Sequence, residues 1–102
     1  MANGYVIVQM NISDPDQYKM YAAEAPASIR AMGGEYVARG GRSETLEGDW
    51  QPHRVALLKF PSYERAKEWY DSEQYRHARE KRAGATEYFK MVLVEGVDTQ
   101  PD

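Results

Sequence analysis

The chain has no cysteine, which excludes disulfides, thiolate nucleophiles, iron–sulfur clusters and cysteine-ligated zinc together. Long hydrophobic runs are missing too: the apolar stretches are strand-sized, short of the ~20 residues that a membrane-spanning helix needs. Histidine is scarce, with only His53 and His77. Neither has a second histidine or a carboxylate at a standard zinc spacing, so no metal site is expected. His77 lies among Arg76, Arg79, Lys81 and Arg82, a charged setting ill suited to a haem ligand. No serine stands in a nucleophile-elbow context, and the paired glycines lack phosphate-loop spacing. No cofactor is called for. A basic balance is also lacking. The formal charge of −3 argues against a surface that binds nucleic acid by displacing counterions from phosphates. The basic segment from Arg76 to Arg82 is interleaved with Glu80 and preceded by Glu73, the pattern of a solvated helix face. Met1-Ala2-Asn3-Gly4 leads straight into a strand-like run without the basic region and apolar stretch of a signal peptide, so a cytoplasmic location is expected.

What is present is tyrosine, eight copies in 102 residues. Tyrosine joins a large apolar body to a hydroxyl that needs a partner when buried, so these rings either line a pocket or cover sheet edges. The length fits one domain over residues 1–97, with a loose polar tail at 98–102. Tyr5 to Ile12 alternates as a strand, Val6, Val8, Met10 and Ile12 on one face, Tyr5 and Ile7 on the other. Asp14-Pro15 starts a helix, with aspartate as N-cap and proline at the first turn. Its apolar stripe runs through Tyr18, Tyr21, Ala22, Ala25, Ile29 and Met32. Pro26 removes the backbone bond to Ala22, which predicts a kink or a split. Gly33-Gly34 closes the helix.

Glu35 to Arg39 reads as a short strand. Gly40-Gly41 behind it predicts a bulge or close backbone approach, followed by a polar continuation from Arg42 to Glu47. His53 to Phe60 is a third strand. Ser62 caps a second helix that buries Ala66, Trp69 and Tyr70, and Ser72 restarts a polar helix from Glu73 to about Arg82. Thr86 to Val97 is the last strand. The order is strand, helix, strand, strand, helix, strand: an α+β fold of ferredoxin-like βαββαβ topology, with both helices on one face of a four-stranded antiparallel sheet. Three of the strands carry large apolar groups on both faces, yet two helices cover only one. The uncovered face predicts a homodimer packed sheet to sheet. Domain swapping or a bound hydrophobic ligand would cover it equally well. Its aliphatic character differs from the aromatic and basic sheet face of an RNA-recognition domain.

Several segments carry a family resemblance. Tyr36-Val37-Ala38-Arg39-Gly40-Gly41, the Leu46-Glu47-Gly48-Asp49-Trp50 turn and Trp69-Tyr70-Asp71-Ser72-Glu73-Gln74-Tyr75 resemble the domain of unknown function 1330 family. The opening Tyr5-Val6 strand, the Asp14-Pro15 helix start and the closing Leu93-Val94-Glu95-Gly96 match as well. The resemblance covers nearly the whole chain. It implies the dimeric α/β-barrel superfamily, in which two ferredoxin-like sheets face each other. It implies no particular reaction, since that superfamily holds cofactor-free monooxygenases, isomerases, decarboxylases and haem enzymes.

The candidate site joins Arg39, Arg54 and His53 with aromatics from the helices. If the second and third strands pair, the two arginines approach one another. Two guanidinium groups beside aromatic walls suit a small carboxylate or other planar anion, through bidentate hydrogen bonds and stacking. The opposing reading pairs each arginine with a nearby acid, Glu35, Glu44 or Glu47. Tyr70 and Tyr75 flank the Ser72 break, where a cleft is expected, and Tyr18 and Tyr21 extend from the first helix. The candidate ligand-binding residues are therefore Arg39, Arg54, Tyr18, Tyr70 and Tyr75. His53, Tyr70 and Tyr75 are the candidates for proton transfer. Two functions follow: a small-molecule-binding protein or cofactor-free enzyme acting on a small anionic or aromatic metabolite, or a non-catalytic dimeric binding or structural protein.

Overall fold

The computed structural model describes residues 2–98, so the tail expected at 98–102 lies, from 99 onward, outside the described residues. Four strands, β1 (Gly4–Ile12), β2 (Glu35–Arg39), β3 (Arg54–Phe60) and β4 (Thr86–Glu95), form one sheet in the order β2-β3-β1-β4. All neighbours are antiparallel. Three helices connect them: α1 (Pro15–Ala31), α2 (Tyr63–Asp71) and α3 (Glu73–Glu80). This is the expected ferredoxin-like α+β fold, its second crossover helix divided at Ser72.

Local chemistry sets the boundaries. The Asp14 carboxylate accepts from the Gln17 N–H, with Pro15 at the first helical position, where a missing donor costs nothing. Ser62 caps α2 by accepting from Arg65, and Ser72 ends α2 and caps α3 by accepting from Tyr75. Of the kink or split expected at Pro26, the split does not occur: α1 is one continuous helix through that residue. Two strand ends also differ from expectation. β3 starts at Arg54: His53, at a φ of 62°, has a left-handed conformation outside the extended region and makes only an isolated bridge to Met10. β4 stops at Glu95, before Gly96. The segment from Arg42 to Glu47 pairs with no strand and is exposed.

The helix-covered face of the sheet is the core. Val6, Val8 and Met10 of β1 and Ala56, Leu58 and Phe60 of β3 are buried there against Tyr21, Ala25 and Ile29 of α1 and Ala66, Trp69, Tyr75 and Ala78 of α2 and α3. Burying a side chain the size of Trp69 or Phe60 contributes roughly 1.5–3 kcal/mol. Two polar pairs sit inside. The Trp69 indole N–H donates to the Ser28 hydroxyl at 3.0 Å, and Ser28 donates to the Ala25 carbonyl. The Tyr21 and Tyr75 hydroxyls meet at 2.8 Å. Each ties α1 to the α2–α3 pair and satisfies groups that would otherwise be desolvated without a partner.

No helix among the described residues covers the opposite face. Its central row, Leu57–Ile7–Val92, runs across three strands. Tyr5, Val94 and Val55 flank that row, and Val92 and Val94 are 56% and 46% exposed. Trp50 folds from the β2–β3 loop onto the edge of this face, its indole donating to the Gln9 side chain.

Candidate functional site

A cleft of about 40 Å³ opens between α1 and the sheet. Its floor is Met10, Ala56 and Leu58, and Tyr18, Tyr36, Arg39 and Arg54 rise around it. The two arginines named from sequence are thus brought together, on the helix-covered side, with Tyr18.

Register explains the arrangement. Arg54 pairs with Met10 across the β1–β3 ladder, and Arg39 pairs with Ala56 across β2–β3, so both share the buried face. Strict alternation would place Tyr36 on the other side from Arg39. The β2 register shifts between Tyr36 and Ala38, and this irregularity at Val37 turns Tyr36 and Arg39 to the same face. The bulge therefore lies upstream of the glycine pair where it was expected. The guanidinium of Arg39 stands 4.4 Å from the centre of the Tyr36 ring, a stacking contact, and donates to the Ala22 carbonyl of α1 at 3.3 Å.

Gly40 is the residue that lets Arg54 in. Its φ is 69°, favourable only without a side chain, and its N–H still pairs with the Val55 carbonyl at 2.9 Å. A Cβ there would collide with the Arg54 guanidinium. The close approach expected from the paired glycines is this one.

Among the described residues, neither Arg39 nor Arg54 has a carboxylate within ion-pair distance. The pairing with Glu35, Glu44 or Glu47 weighed from sequence does not occur. Burial pushes the Tyr18 and Tyr36 phenols above their ordinary range, opposed chiefly by Arg54 at Tyr18 and by Arg39 at Tyr36. Both phenols therefore carry their protons at neutral pH. Tyr18 donates to the Met10 sulfur at 3.0 Å. A thioether is a weak acceptor, readily exchanged for a ligand oxygen.

The other sequence candidates lie elsewhere. Tyr75 is completely buried, packed on Trp69 with ring centres 4.1 Å apart and its hydroxyl engaged by Tyr21, so it forms core and presents no surface to the cleft. Tyr70 borders a separate crevice of about 210 Å³ between α2 and the sheet, floored by Val6 and Leu93, with Arg79 stacked 4.7 Å from its ring centre. His53 stands on the open side of the sheet, exposed, with Nδ1 2.6 Å from the Tyr88 hydroxyl. Tyr88 also donates to the Pro52 carbonyl. Having given its proton there, it accepts from His53, which fixes the Nδ1–H tautomer. No cluster of three or more metal-ligating side chains occurs among the described residues, and no helix among them is long and apolar enough to cross a membrane. Tyr36 was not singled out from sequence, because only the Val37 irregularity brings it to the site.

Fold and site define a ferredoxin-like α+β protein with an arginine–tyrosine cleft beneath its first helix. The chain belongs to the family described as a domain of unknown function, DUF1330, whose model matches residues 3–97. No curated protein matches it. Among solved structures it is similar to a protein of unknown function from Rhodopseudomonas palustris, with 19% identity, TM-score 0.71, and coverage of 95% of this chain and 84% of that one. A candidate antibiotic biosynthesis monooxygenase from Nitrosomonas europaea shares 16% identity at TM-score 0.58, covering 97% and 94%. A dimeric ferredoxin-like protein of unknown function from Bacteroides fragilis shares 16% identity at TM-score 0.53, covering 91% and 95%. At these identities the likeness shows the fold.

Proposed function

We propose that this protein binds a small planar anion, a carboxylate or phenolate, in the cleft between α1 and the sheet. One observation carries the reading: two guanidinium groups, those of Arg39 and Arg54, meet at one cleft with no carboxylate among the described residues within ion-pair distance. Unpaired arginines beside aromatic walls are the arrangement by which proteins hold planar anions. The Tyr18 hydroxyl, protonated and close to the Arg54 charge, adds a third donor.

The same geometry supports a catalytic version. A neutral phenol beside a guanidinium is placed to hand a proton to an oxyanion as charge develops on it. In that version Tyr18 is the proton donor and the arginines position the substrate, an arrangement that needs no cofactor. The solved likeness to a candidate monooxygenase is consistent with it.

The biological unit in this reading is a homodimer through the open sheet face. The Leu57–Ile7–Val92 row would otherwise leave an apolar patch in water, and the similar Bacteroides fragilis protein is described as dimeric. The cleft lies on the opposite face, so both sites stay open in such a dimer.

A thermal-shift screen of small carboxylates and phenols, repeated on Arg54→Gln, tests the binding. The expected result is a group of anionic compounds that raise the midpoint of the wild type and leave the variant unmoved. A flat midpoint across the library in the wild type overturns the reading.

A further inference from the structure

The arginine cleft has an apolar neighbour. Along the antiparallel β1–β4 ladder Val8 pairs with Met91 and Val6 with Leu93, successive rungs of the buried face about 7 Å apart. The first rung belongs to the cleft beneath α1 and the second to the crevice beneath α2, and Met91 lines both. The two spaces are therefore consecutive stretches of one sheet face, with the Met91 side chain as their common wall.

Their sizes and linings are complementary. The cleft, about 40 Å³, holds the two arginines but is far smaller than the ~150 Å³ in which an apolar cavity takes up benzene. The crevice, about 210 Å³, exceeds that. Val6, Ala66 and Leu93 make it aliphatic, and Trp69 and Tyr70 add aromatic surface. Its charged lining residue, Lys67, already has its ammonium 2.9 Å from the Asp71 carboxylate, so the crevice suits an uncharged body. Met91 is only partly buried. An unbranched thioether repacks at little cost and makes favourable contacts with aromatic rings, so this wall can give way to one.

We propose that the ligand is a carboxylate with a ring-sized apolar body, its anionic group between Arg39 and Arg54 and its body displacing Met91 to enter the crevice beneath α2. This rests on the anion reading of the cleft and narrows it to aryl-alkyl acids. It also gives Tyr70, which stands apart from the arginines, a part in binding. Its ring walls the crevice, with the Arg79 guanidinium stacked 4.7 Å from the ring centre.

The test is a matched pair of probes, butyrate and 4-phenylbutyrate, which share head and linker and differ by one ring. They are titrated by calorimetry into the wild type, Leu93→Trp, which fills the crevice, Met91→Ala, which lowers the shared wall, and Arg54→Gln. Circular dichroism melts establish that each variant is folded. The wild type is expected to prefer 4-phenylbutyrate by about tenfold or more, the effect of burying one ring. Leu93→Trp should abolish that preference, Met91→Ala should widen it, and Arg54→Gln should weaken both probes. In the wild type itself, nuclear Overhauser contacts from the ring protons to the Leu93 methyls are expected, a readout that depends on no variant. Equal affinity for the two probes in the wild type, or a preference without contacts to Leu93, overturns the extended-ligand proposal while leaving the anion site intact. Binding of neither probe overturns both.

Discussion

Nη2 of Arg39 lies 3.3 Å from the carbonyl oxygen of Ala22, the carbonyl that Pro26, four residues on, cannot serve because it has no N–H. A side chain from the adjacent strand thus supplies a donor where the proline withholds one. The arrangement keeps α1 continuous and holds the Arg39 guanidinium at the cleft.

This relationship predicts an energetic coupling. Pro26→Ala restores the intrahelical donor and should stabilise the fold by about 1–3 kcal/mol. Arg39→Gln should cost roughly 0.5–1.5 kcal/mol in the native chain and less in the Pro26→Ala background. Urea denaturation of the four proteins measures the cycle. Additive effects within about 0.3 kcal/mol would mean that the guanidinium does not substitute for the missing N–H.

The Tyr21–Tyr75 pair predicts a second cycle. Either single change to phenylalanine strands one buried hydroxyl and should cost about 1–3 kcal/mol. The double change removes both groups and should cost much less than the sum. The pair also sets an alkaline limit. Burial, followed by Tyr75, raises the Tyr21 phenol above 10.0, so the folded chain holds this proton more tightly than the unfolded one. Its contribution is complete below pH ~10 and declines as pH rises beyond that. Denaturation midpoints followed from pH 8 to 11 should fall above about 10 in the wild type and more shallowly in the double variant. Equal slopes would remove Tyr21 as a source of the alkaline loss.

Gly40→Ala should disrupt the site from the backbone. It places a Cβ against the Arg54 guanidinium at a φ of 69°, with an expected stability cost of about 1–2 kcal/mol and loss of anion binding. Retention of wild-type anion affinity in this variant would show that Arg54 need not lie over Gly40 to bind.

Val92→Lys tests the dimer. It sets a charge in the centre of the apolar row on the open face and should convert a sedimenting dimer to monomer without lowering monomer stability by more than about 0.5 kcal/mol. A wild type that sediments as a monomer at micromolar concentration contradicts the homodimer.

The fold was legible because its punctuation is strong. Asp14-Pro15, Ser62 and Ser72 are caps with one reading, and alternation in β1 and β3 identifies the core face. The meeting of Arg39 and Arg54 followed from pairing β2 with β3. Three things were not legible. The irregularity at Val37 has no glycine or proline to announce it, so Tyr36 was not placed at the site. Tyr75 sits on a helix so polar that its complete burial shows only once Tyr21 is found opposite. Arg82 stands in a charged run that reads as solvated, and its stacking on Phe89 depends on how the turn at 81–85 is tied to α1. Each of these depends on tertiary contact that no local pattern encodes.

The most direct measurement of the central claim is a titration of benzoate into nitrogen-15-labelled protein, observing the arginine Nε–H resonances, with Arg39→Gln and Arg54→Gln spectra supplying the assignments. Binding in the cleft predicts saturable shifts of the Arg39 and Arg54 signals at concentrations below about 10 mM, where a site of even millimolar affinity fills, with signals of arginines remote from the cleft, such as Arg65 and Arg76, unmoved. Uniform small shifts of all arginines, or none, would contradict the account.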